Sequence, residues 1–456
     1  MPSADSSSQR PNFVFILADD LGYADLGCYG GRGHRTLGGS CSPVIDMMAA
    51  EGLRFTQGYA NSPVCSPTRF ALATGRYQYR LRGGADEPIS SRTRIDPLLG
   101  PLLGLPPEHP TLASLLRDAG YRTALVGKWH LGYAPYFGPL KSGYEEFFGA
   151  MSGGLDYFNH CDPSGAHDLW EGEQEVFRIG YLTDLISERA VDYVRRQARS
   201  DKPFLLSVHY TAPHWPWETR TDEEESRIVR DRNEHIVHTA GGSVQNYLTM
   251  VRQMDEGIGR ILEALKGTGA DRNTMIVFTS DNGGERFSDV WPLVGRKMDL
   301  LEGGIRVPDV VRWPARIAAG GVTSQQAITM DWVATMLEAA GVEEHPDYPL
   351  DGASLLEVLD DPTATFDREL FWRMKYRGQK AMRAGQWKYL LLDGDEFLFD
   401  LSRDERERAN RARREPQRVE AMRARYAEWE ATVPAVPDQA AFTIPYRKSD
   451  QAMPSG

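Results

Sequence analysis

Long apolar runs and cysteines are both scarce in this chain of 456 residues. It has no stretch of about 18 consecutive apolar residues, so we expect no membrane-spanning segment. The N-terminus lacks the basic and apolar regions of a secretory signal, which predicts a cytoplasmic protein, or a periplasmic or secreted one if a signal was removed. Four cysteines are too few for a disulfide scaffold, and their spacing matches no zinc pattern. We expect Cys28, Cys41 and Cys161 to be free thiols.

Basic residues are outnumbered as well, since 52 Lys and Arg stand against 64 Asp and Glu, a formal net charge of -12. This balance argues against sequence-independent binding of nucleic acid, which depends on neutralising phosphates. A local basic pocket for a small anion is still compatible with it. We therefore expect a small-molecule substrate and no nucleic-acid or membrane partner, and the oligomeric state is left open.

Apolar runs of strand length alternate with helical stretches through most of the chain. This alternation predicts an α/β fold with a large, doubly wound, mostly parallel central sheet flanked by helices. Residues 133–176 have an irregular, aromatic-rich sequence, and residues 218–235 carry a charge run typical of a solvated face. The predicted strands are residues 13–18, 53–59, 121–126, 204–210 and 275–280.

From about residue 366 the pattern changes to short alternating strands separated by turns. They predict a small C-terminal antiparallel sheet, to which residues 415–430 add one helix. Chain length and this change of pattern together predict two domains, a large one over 1–365 and a smaller α+β one over 366–456.

Unusual polar groups follow four of the predicted strands. In a parallel sheet the carboxyl ends of the strands converge on one edge, where ligands bind, so we expect these side chains to lie together. Taken singly, each has an ordinary alternative, such as a solvated loop, a helix N-cap or a hydrogen-bonded loop histidine. The groups are Asp19 and Asp20, Lys128 and His130, His214, and Asp281 and Asn282.

Oxygen ligands are prominent in this set. Carboxylate and amide oxygens favour a hard divalent cation, Ca²⁺ or Mg²⁺, which can offset substrate charge and act as a Lewis acid. The oxygen donors are Asp19, Asp20, Asp281 and Asn282, and fixed positive charge comes from Arg69, Lys128 and Lys297.

Cys65 lies in a stretch that predicts a turn leading into a helix. Pro67 suits the first helical turn, and Gly75 is a natural stop. Free backbone N–H groups at such a helix start permit a reactive thiolate, and Arg69 is one turn away and can reach back toward it. The alternative is that Cys65 is a small buried apolar residue.

The ordered string Cys65-Ser66-Pro67-Thr68-Arg69, followed by Leu72 and Thr74-Gly75-Arg76, resembles the signature of the type I sulfatases of the alkaline phosphatase superfamily. A later segment, with Lys297 ahead of Glu302-Gly303-Gly304-Ile305-Arg306-Val307-Pro308, is similar to another part of that family. The resemblance implies an alkaline-phosphatase-like fold and a catalytic sulfatase domain over 1–365. It also implies hydrolysis of aryl or carbohydrate sulfate monoesters to an alcohol or phenol and inorganic sulfate.

The resemblance also implies roles for the site residues. Cys65 would be oxidised by a formylglycine-generating enzyme to formylglycine (3-oxoalanine), whose hydrated form attacks sulfur with Asp281 as base. His214, helped by Lys297, would protonate the leaving group, and His130 would then accept the proton that allows sulfate to leave. Lys128 and Arg69 would orient the nucleophile. The metal ligands implied are Asp19, Asp20, Cys65, Asp281 and Asn282.

Substrate identity is not fixed by these motifs. Residues 80–110, 133–176 and 215–240 are expected to set specificity. A phosphonate monoester or phosphodiester hydrolase and a non-catalytic sulfate-ester-binding homologue are the alternatives, whereas a two-zinc enzyme is disfavoured because no histidine-rich second metal site is present. Lys128, His214 and Lys297 are predicted to bind the substrate. The leaving-group pocket is predicted to contain Tyr157, His160, His167 and Trp170.

Overall fold

The computed structural model describes residues 10–31, 36–81, 88–94, 96–98, 100–231 and 241–436. Within these residues the largest element is an eleven-stranded sheet of order β10-β2-β9-β8-β1-β7-β3-β4-β5-β6, with β11 beside β2. Its strands are β1 (Asn12–Ala18), β2 (Leu53–Tyr59), β3 (Arg122–Gly127), β4 (Glu146–Ala150), β5 (Leu169–Glu171), β6 (Gln174–Glu175), β7 (Phe204–His209), β8 (Thr274–Ser280), β9 (Arg306–Arg312), β10 (Gly321–Thr323) and β11 (Ala327–Ile328).

Helices flank this sheet and a second, smaller sheet follows it. The smaller sheet is antiparallel and contains β12 (Glu369–Met374), β13 (Gln379–Ala384), β14 (Trp387–Leu392) and β15 (Asp395–Asp400). The helices are α1 (Pro43–Glu51), α2 (Cys65–Thr74), α3 (Leu112–Asp118), α4 (Leu182–Gln197), α5 (Glu223–Asp231), α6 (Val244–Thr268), α7 (Glu302–Ile305), α8 (Asp331–Ala340), α9 (Leu356–Asp360) and α10 (Pro416–Glu430).

The centre of the large sheet is parallel and buried on both faces. Strands β8, β1, β7, β3 and β4 run parallel to one another, whereas β9 runs antiparallel to β8 and to β2. Alternate residues of β1 serve opposite cores, because side chains alternate across a strand. Val14 and Ile16 pack in the cluster that contains α4 and α6, and Phe13 and Phe15 pack in the one that contains α3 and α8.

This architecture confirms the predicted α/β fold with its doubly wound, mostly parallel sheet and small C-terminal antiparallel sheet. The smaller sheet and α10 share a core with Tyr59, Tyr79 and other residues of the larger part. The smaller sheet begins at Glu369. The domain division at residue 365 stays a prediction. All four cysteines are free thiols, as expected for Cys28, Cys41 and Cys161. No described helix has the length and apolarity that crossing a membrane requires.

Two sequence expectations needed correction. Residues 133–176 are not irregular throughout, because they contain β4 and the β5–β6 hairpin. The short run of β4 includes Gly149 at φ +152°, so pairing with β3, rather than local propensity, makes it a strand. Part of the charged run 218–235 forms α5, and residues 232–235 lie outside the described residues.

A buried ion-pair cluster ties the smaller sheet to the larger one. Lys388 Nζ on β14 lies 2.9 Å from Glu302 Oε1 and 2.8 Å from Glu407 Oε1. Tyr59 donates to Glu302 Oε2 at 2.7 Å, and the Glu302 amide donates to Glu407 Oε2 at 2.6 Å. Burial raises the pKa of Glu407 to about 7, although Lys388 opposes the shift. Lys388 is the cation that contacts both carboxylates, whereas Arg306 and Arg383 lie farther away, 3.7 Å and 3.6 Å from Glu302 Oε2.

Removing that cation should destabilise the protein strongly. We expect Lys388→Met to lower the free energy of unfolding by about 3–5 kcal/mol, because the buried Glu407 carboxylate loses the cation that pairs with it. The matched control is Arg423→Met in the half-exposed pair with Glu396, which should change the stability far less because solvent screens that pair. Denaturant unfolding monitored by tryptophan fluorescence measures both, and equal losses would contradict the special role of the buried cluster.

Candidate active site

The polar groups predicted at the strand ends do meet at one edge of the sheet. Asp19 and Asp20 follow β1, Lys128 and His130 follow β3, His214 follows β7, and Asp281 and Asn282 follow β8. Each of these side chains is buried, and the three carboxylates are at most 1% exposed. Because water is largely excluded, charges here interact strongly with one another.

Carboxylates and cations alternate in this edge. Lys128 Nζ forms an ion pair with Asp19 Oδ2, and Lys297 Nζ lies 2.7 Å from Asp20 Oδ2. Arg69 binds Asp281 Oδ2 through Nη2 at 2.8 Å and Nε at 3.2 Å, and it also lies 3.6 Å from Asp19. Three acids are thus matched by three fixed cations.

The pKa values of the acids follow from these contacts. Burial favours the neutral form of Asp20, but Lys297, His214 and Lys128 outweigh it and hold the pKa of Asp20 below its usual value. At Asp281, burial and then Asp19 win over Arg69 and raise the pKa to about 6. Asp281 is therefore the carboxylate of the two that most readily accepts a proton near neutral pH.

Cys65 is the first residue of α2, and Gly75 at φ +69° ends that helix. Thr68 Oγ1 accepts from the Ser62 amide at 2.9 Å, which closes the turn before the helix. Burial and then Asp281 raise the pKa of the Cys65 thiol well above its usual value, although Lys128 and Lys297 oppose them. The helix start therefore does not make Cys65 a thiolate, and Arg69 reaches Asp281 rather than forming a bond to Cys65.

A cation fits this edge. One ligand atom from each of Asp19, Asp20, Cys65 and His214 lies within 4.8 Å of the others. Asn282 donates to Asp20 Oδ1 at 2.7 Å, and its own buried Oδ1 has no partner among the described residues. Half a turn of that amide would place oxygen beside Asp20, as a hard cation requires. A divalent cation would leave the site with net positive charge, suited to an anion.

The two predicted acid–base histidines are neutral near pH 7. His130 Nε2 lies 2.9 Å from the Ile89 carbonyl, so it carries the proton and the buried Nδ1 is a free acceptor. Burial and then Lys128 lower the pKa of His130 well below its usual value. His214 Nδ1 lies 2.6 Å from the Trp215 carbonyl, and burial and then Lys297 lower the pKa of His214 to about 3.

Supporting residues that the sequence did not indicate hold the backbone of the site. Asp20 has φ +65°, and its amide donates to Asp281 Oδ1 at 3.2 Å. Asp25 fixes the next turn by accepting from the Gly22 amide at 2.8 Å and from Tyr247 Oη at 2.5 Å. His209 Nδ1 lies 3.4 Å from Arg69 Nη1. Only their position after or beside a predicted strand could have indicated them.

Of the predicted leaving-group residues, Tyr157 lies against His214, and the rings of His160 and His167 pack together with centroids 6.4 Å apart. Tyr157 is fully buried and donates to the His214 carbonyl at 2.9 Å, so it contacts the backbone of His214. His160 is 1% exposed, and burial lowers its pKa to about 4. His167 pairs with Glu175 at 2.8 Å, and half-buried Trp170 donates to Asp168. Their role in a pocket stays a prediction.

Two glycines within residues 133–176 bring the backbone of this segment against His130 and His214. A Cβ on Gly153 would lie 2.4 Å from His130 Cε1, and one on Gly154 would lie 3.2 Å from His214 Cε1. The sequence signal was the Ser152-Gly153-Gly154 string, which allows close backbone approach. Parts of the other predicted specificity segments, residues 82–87, 95, 99 and 232–240, lie outside the described residues.

Comparison with known proteins shows similarity to sulfatases. A family model described as Sulfatase matches residues 11–342, and one described as N-sulphoglucosamine sulphohydrolase, C-terminal, matches residues 296–424. The chain is 35% identical to the N-acetylgalactosamine-6-sulfatase of Rattus norvegicus over 84% of this chain and 72% of that one. It is 32% identical to the steryl-sulfatase of Mus musculus over 78% and 66%. The structure of Ps i-CgsB in complex with k-i-k-neocarrahexaose has a TM-score of 0.80, 29% identity and coverage of 95% of both chains.

Cation binding should be visible as a rise in thermal stability. A cation at 100 times its Kd raises the free energy of unfolding by about 2.7 kcal/mol, so Ca²⁺ or Mg²⁺ added to chelator-treated protein should raise Tm. Asp20→Ala should abolish the rise. Asp361→Ala, at an exposed carboxylate, should keep it. A full rise in Asp20→Ala would place the cation elsewhere.

Proposed function

The chain belongs to the sulfatase family and hydrolyses sulfate monoesters, and we propose that its substrates are carbohydrate sulfates, cleaved with Cys65 as formylglycine and Ca²⁺ as the cation. The observation that carries the proposal is Cys65 itself. It stands in Cys-Ser-Pro-Thr-Arg, with its Sγ 3.4 Å from Asp19 Oδ1 and 3.9 Å from Asp20 Oδ1.

A thiol is a poor nucleophile in this position, because burial keeps it protonated. Formylglycine, made from Cys65 by a formylglycine-generating enzyme, supplies as its hydrate an oxygen nucleophile and a second hydroxyl for release of sulfate. Lys128 and Arg69 place fixed positive charge around this position, since both form ion pairs with Asp19. The residues around Cys65 therefore need only to orient the group and to move protons.

The cation site consists of Asp19, Asp20, Asp281 and Asn282. We favour Ca²⁺ because it accepts many protein oxygens in flexible geometry, whereas Mg²⁺ usually keeps several waters. When bound, the ion offsets the negative charge of the sulfate ester. Mg²⁺ is the competing ion, and we expect it to raise Tm less than Ca²⁺ does at the same concentration.

Proton transfer is assigned from the free atoms of the site. Asp281, with its pKa raised to about 6, is ionised at pH 7 and can accept the proton of the nucleophile. His130 offers its unpartnered Nδ1 as the acceptor for sulfate release. His214 faces the leaving-group side with Nε2, 3.6 Å from Asp20 Oδ2.

His214 must hold a proton when the leaving group departs. In the free protein its pKa is lowered to about 3, by burial and then by Lys297. A bound sulfate ester brings negative charge next to the ring, which favours the imidazolium form. Lys297 also forms an ion pair with Asp20. It assists His214 at the oxygen of the leaving group.

The carbohydrate preference is supported by the relatives. N-acetylgalactosamine-6-sulfatase names a sugar sulfate, and Ps i-CgsB was solved with a neocarrahexaose. Aryl sulfates should be cleaved as well, since their phenols leave easily.

The proposal is tested by mass and by activity. The tryptic peptide of Cys65, from protein made with a formylglycine-generating enzyme, should be lighter than the cysteine form, and Cys65→Ala should lose turnover. Cys28→Ala is the matched control and should keep full activity. Activity on N-acetylgalactosamine 6-sulfate above that on 4-nitrophenyl sulfate, relative to the uncatalysed rates, is expected. Faster cleavage of a phosphonate monoester or phosphodiester would contradict the assignment.

The role of His214 is tested through the leaving group. We expect His214→Ala to lower kcat on a sugar sulfate by about 10²- to 10⁴-fold, because an alkoxide leaves only with a proton. The loss on 4-nitrophenyl sulfate should be much smaller. His345→Ala, at a histidine that contacts Tyr348, serves as the control. Equal losses on both substrates would rule out proton donation.

A further inference from the structure

The turn that carries Lys297 is held from outside the central sheet. Lys297 is 5% exposed, and its Nζ lies 2.7 Å from Asp20 Oδ2. The next residue, Met298, has φ +80°, a left-handed conformation that a non-glycine residue adopts only at a cost. The surrounding contacts must therefore fix the turn, since its own backbone preference opposes it.

Gln379, the first residue of β13, supplies such contacts. Its Nε2 donates to the Met298 carbonyl at 2.8 Å, and its Oε1 accepts from the Leu300 amide at 2.8 Å. The same Nε2 donates to the Tyr376 carbonyl at 3.1 Å, which anchors the side chain in its own sheet. Gln379 is 1% exposed, so water does not compete for these bonds.

A second set of contacts joins the same turn to the segment of Cys65. The Met298 amide donates to the Pro63 carbonyl at 2.9 Å. The Met298 side chain packs with Val64, which precedes Cys65, and with Met374, the last residue of β12. A shift of the Lys297 turn is therefore resisted both by the smaller sheet and by the segment that precedes Cys65.

We infer that Gln379 is a positioning residue for Lys297, and this inference rests on the leaving-group role proposed above for Lys297. Without the Gln379 amide, the Met298 carbonyl and the Leu300 amide lose their partner in a dry interior. The turn then relaxes toward other partners and carries Lys297 with it. A misplacement of about 1 Å in a catalytic group can cost on the order of 100-fold in rate.

The test is a double-mutant cycle between Gln379→Met and Lys297→Ala on phenyl sulfates of rising phenol pKa. Gln379→Met should lower kcat by about 10- to 100-fold, with the larger loss on the poorer leaving groups and little change in KM. In the Lys297→Ala background the same change should cost little, because the group that Gln379 positions is gone. Equal losses in both backgrounds, or unchanged kcat, overturn the inference.

Gln326→Met is the matched control. Gln326 also links the two sheets, since its Nε2 donates to the Gly385 carbonyl at 2.8 Å in the turn between β13 and β14. It should leave both kcat and the leaving-group dependence at wild-type values. If Gln379→Met does not fold, Gln379→Glu keeps the acceptor for the Leu300 amide and goes through the same cycle with the same expectation.

The wild type and Lys297→Ala separate the two ways of failing. If the wild type does not cleave aryl sulfates, or if Lys297→Ala is as fast as the wild type, the proposed function or the role of Lys297 is contradicted, and the inference is overturned with it. If Lys297→Ala is impaired and Gln379→Met is not, the inference alone is overturned.

Discussion

Burial of charge at the carboxyl edge of the central sheet is the constraint on which the rest of the site depends. An ionised group that leaves water is tolerated only when opposite charges and hydrogen bonds replace its hydration. Asp19, Asp20 and Asp281 meet this condition through Lys128, Lys297 and Arg69. Since each cation comes from a different segment, the segments must come together before any one of these charges can be buried at a tolerable cost in free energy.

The smaller sheet helps to meet this requirement for paired buried charges, because it holds the segment that carries Lys297. Lys297 lies between β8 and β9, outside the strands of the large sheet. The turn is fixed by Gln379 on one side and by the buried pair of Glu302 and Lys388 on the other. The C-terminal sheet thus contributes its side chains to the framework of the site rather than to its reacting atoms.

The fold and the strand-end groups could be predicted from the sequence because both depend on local pattern. The buried strands are continuous apolar runs, and Asp19, Lys128 and Asp281 follow them directly. The signal at Cys65 was an ordered string, so it needed no tertiary information. Strand β4 was missed because a five-residue run with a glycine becomes a strand only through pairing with β3.

Residues that act through long-range contacts left no such signal. Asp25 and Gln379 are far in the chain from Tyr247 and Met298, which they contact, and nothing in their neighbours distinguishes them from core polar residues. Tyr157 was expected in the leaving-group pocket, but its bond to the His214 backbone was not. Of the two readings that the sequence left open at Cys65, the structure favours the buried thiol over the thiolate for a related reason. The helix start favours an anion, but the desolvation that opposes it depends on how many other segments cover the site.

Neutral histidines resolve a conflict that the cations create. With a divalent ion bound, the fixed charges of the site attract a sulfate ester, but they attract the sulfate product more strongly because it carries an additional negative charge. Imidazolium at both His130 and His214 would add to that attraction and slow release. Burial and the neighbouring lysines keep the pKa of both rings low. Each ring is therefore protonated only while the charge of a bound substrate favours it or a proton transfer delivers the proton. The same desolvation that prevents a thiolate at Cys65 therefore keeps the site from binding its product too tightly.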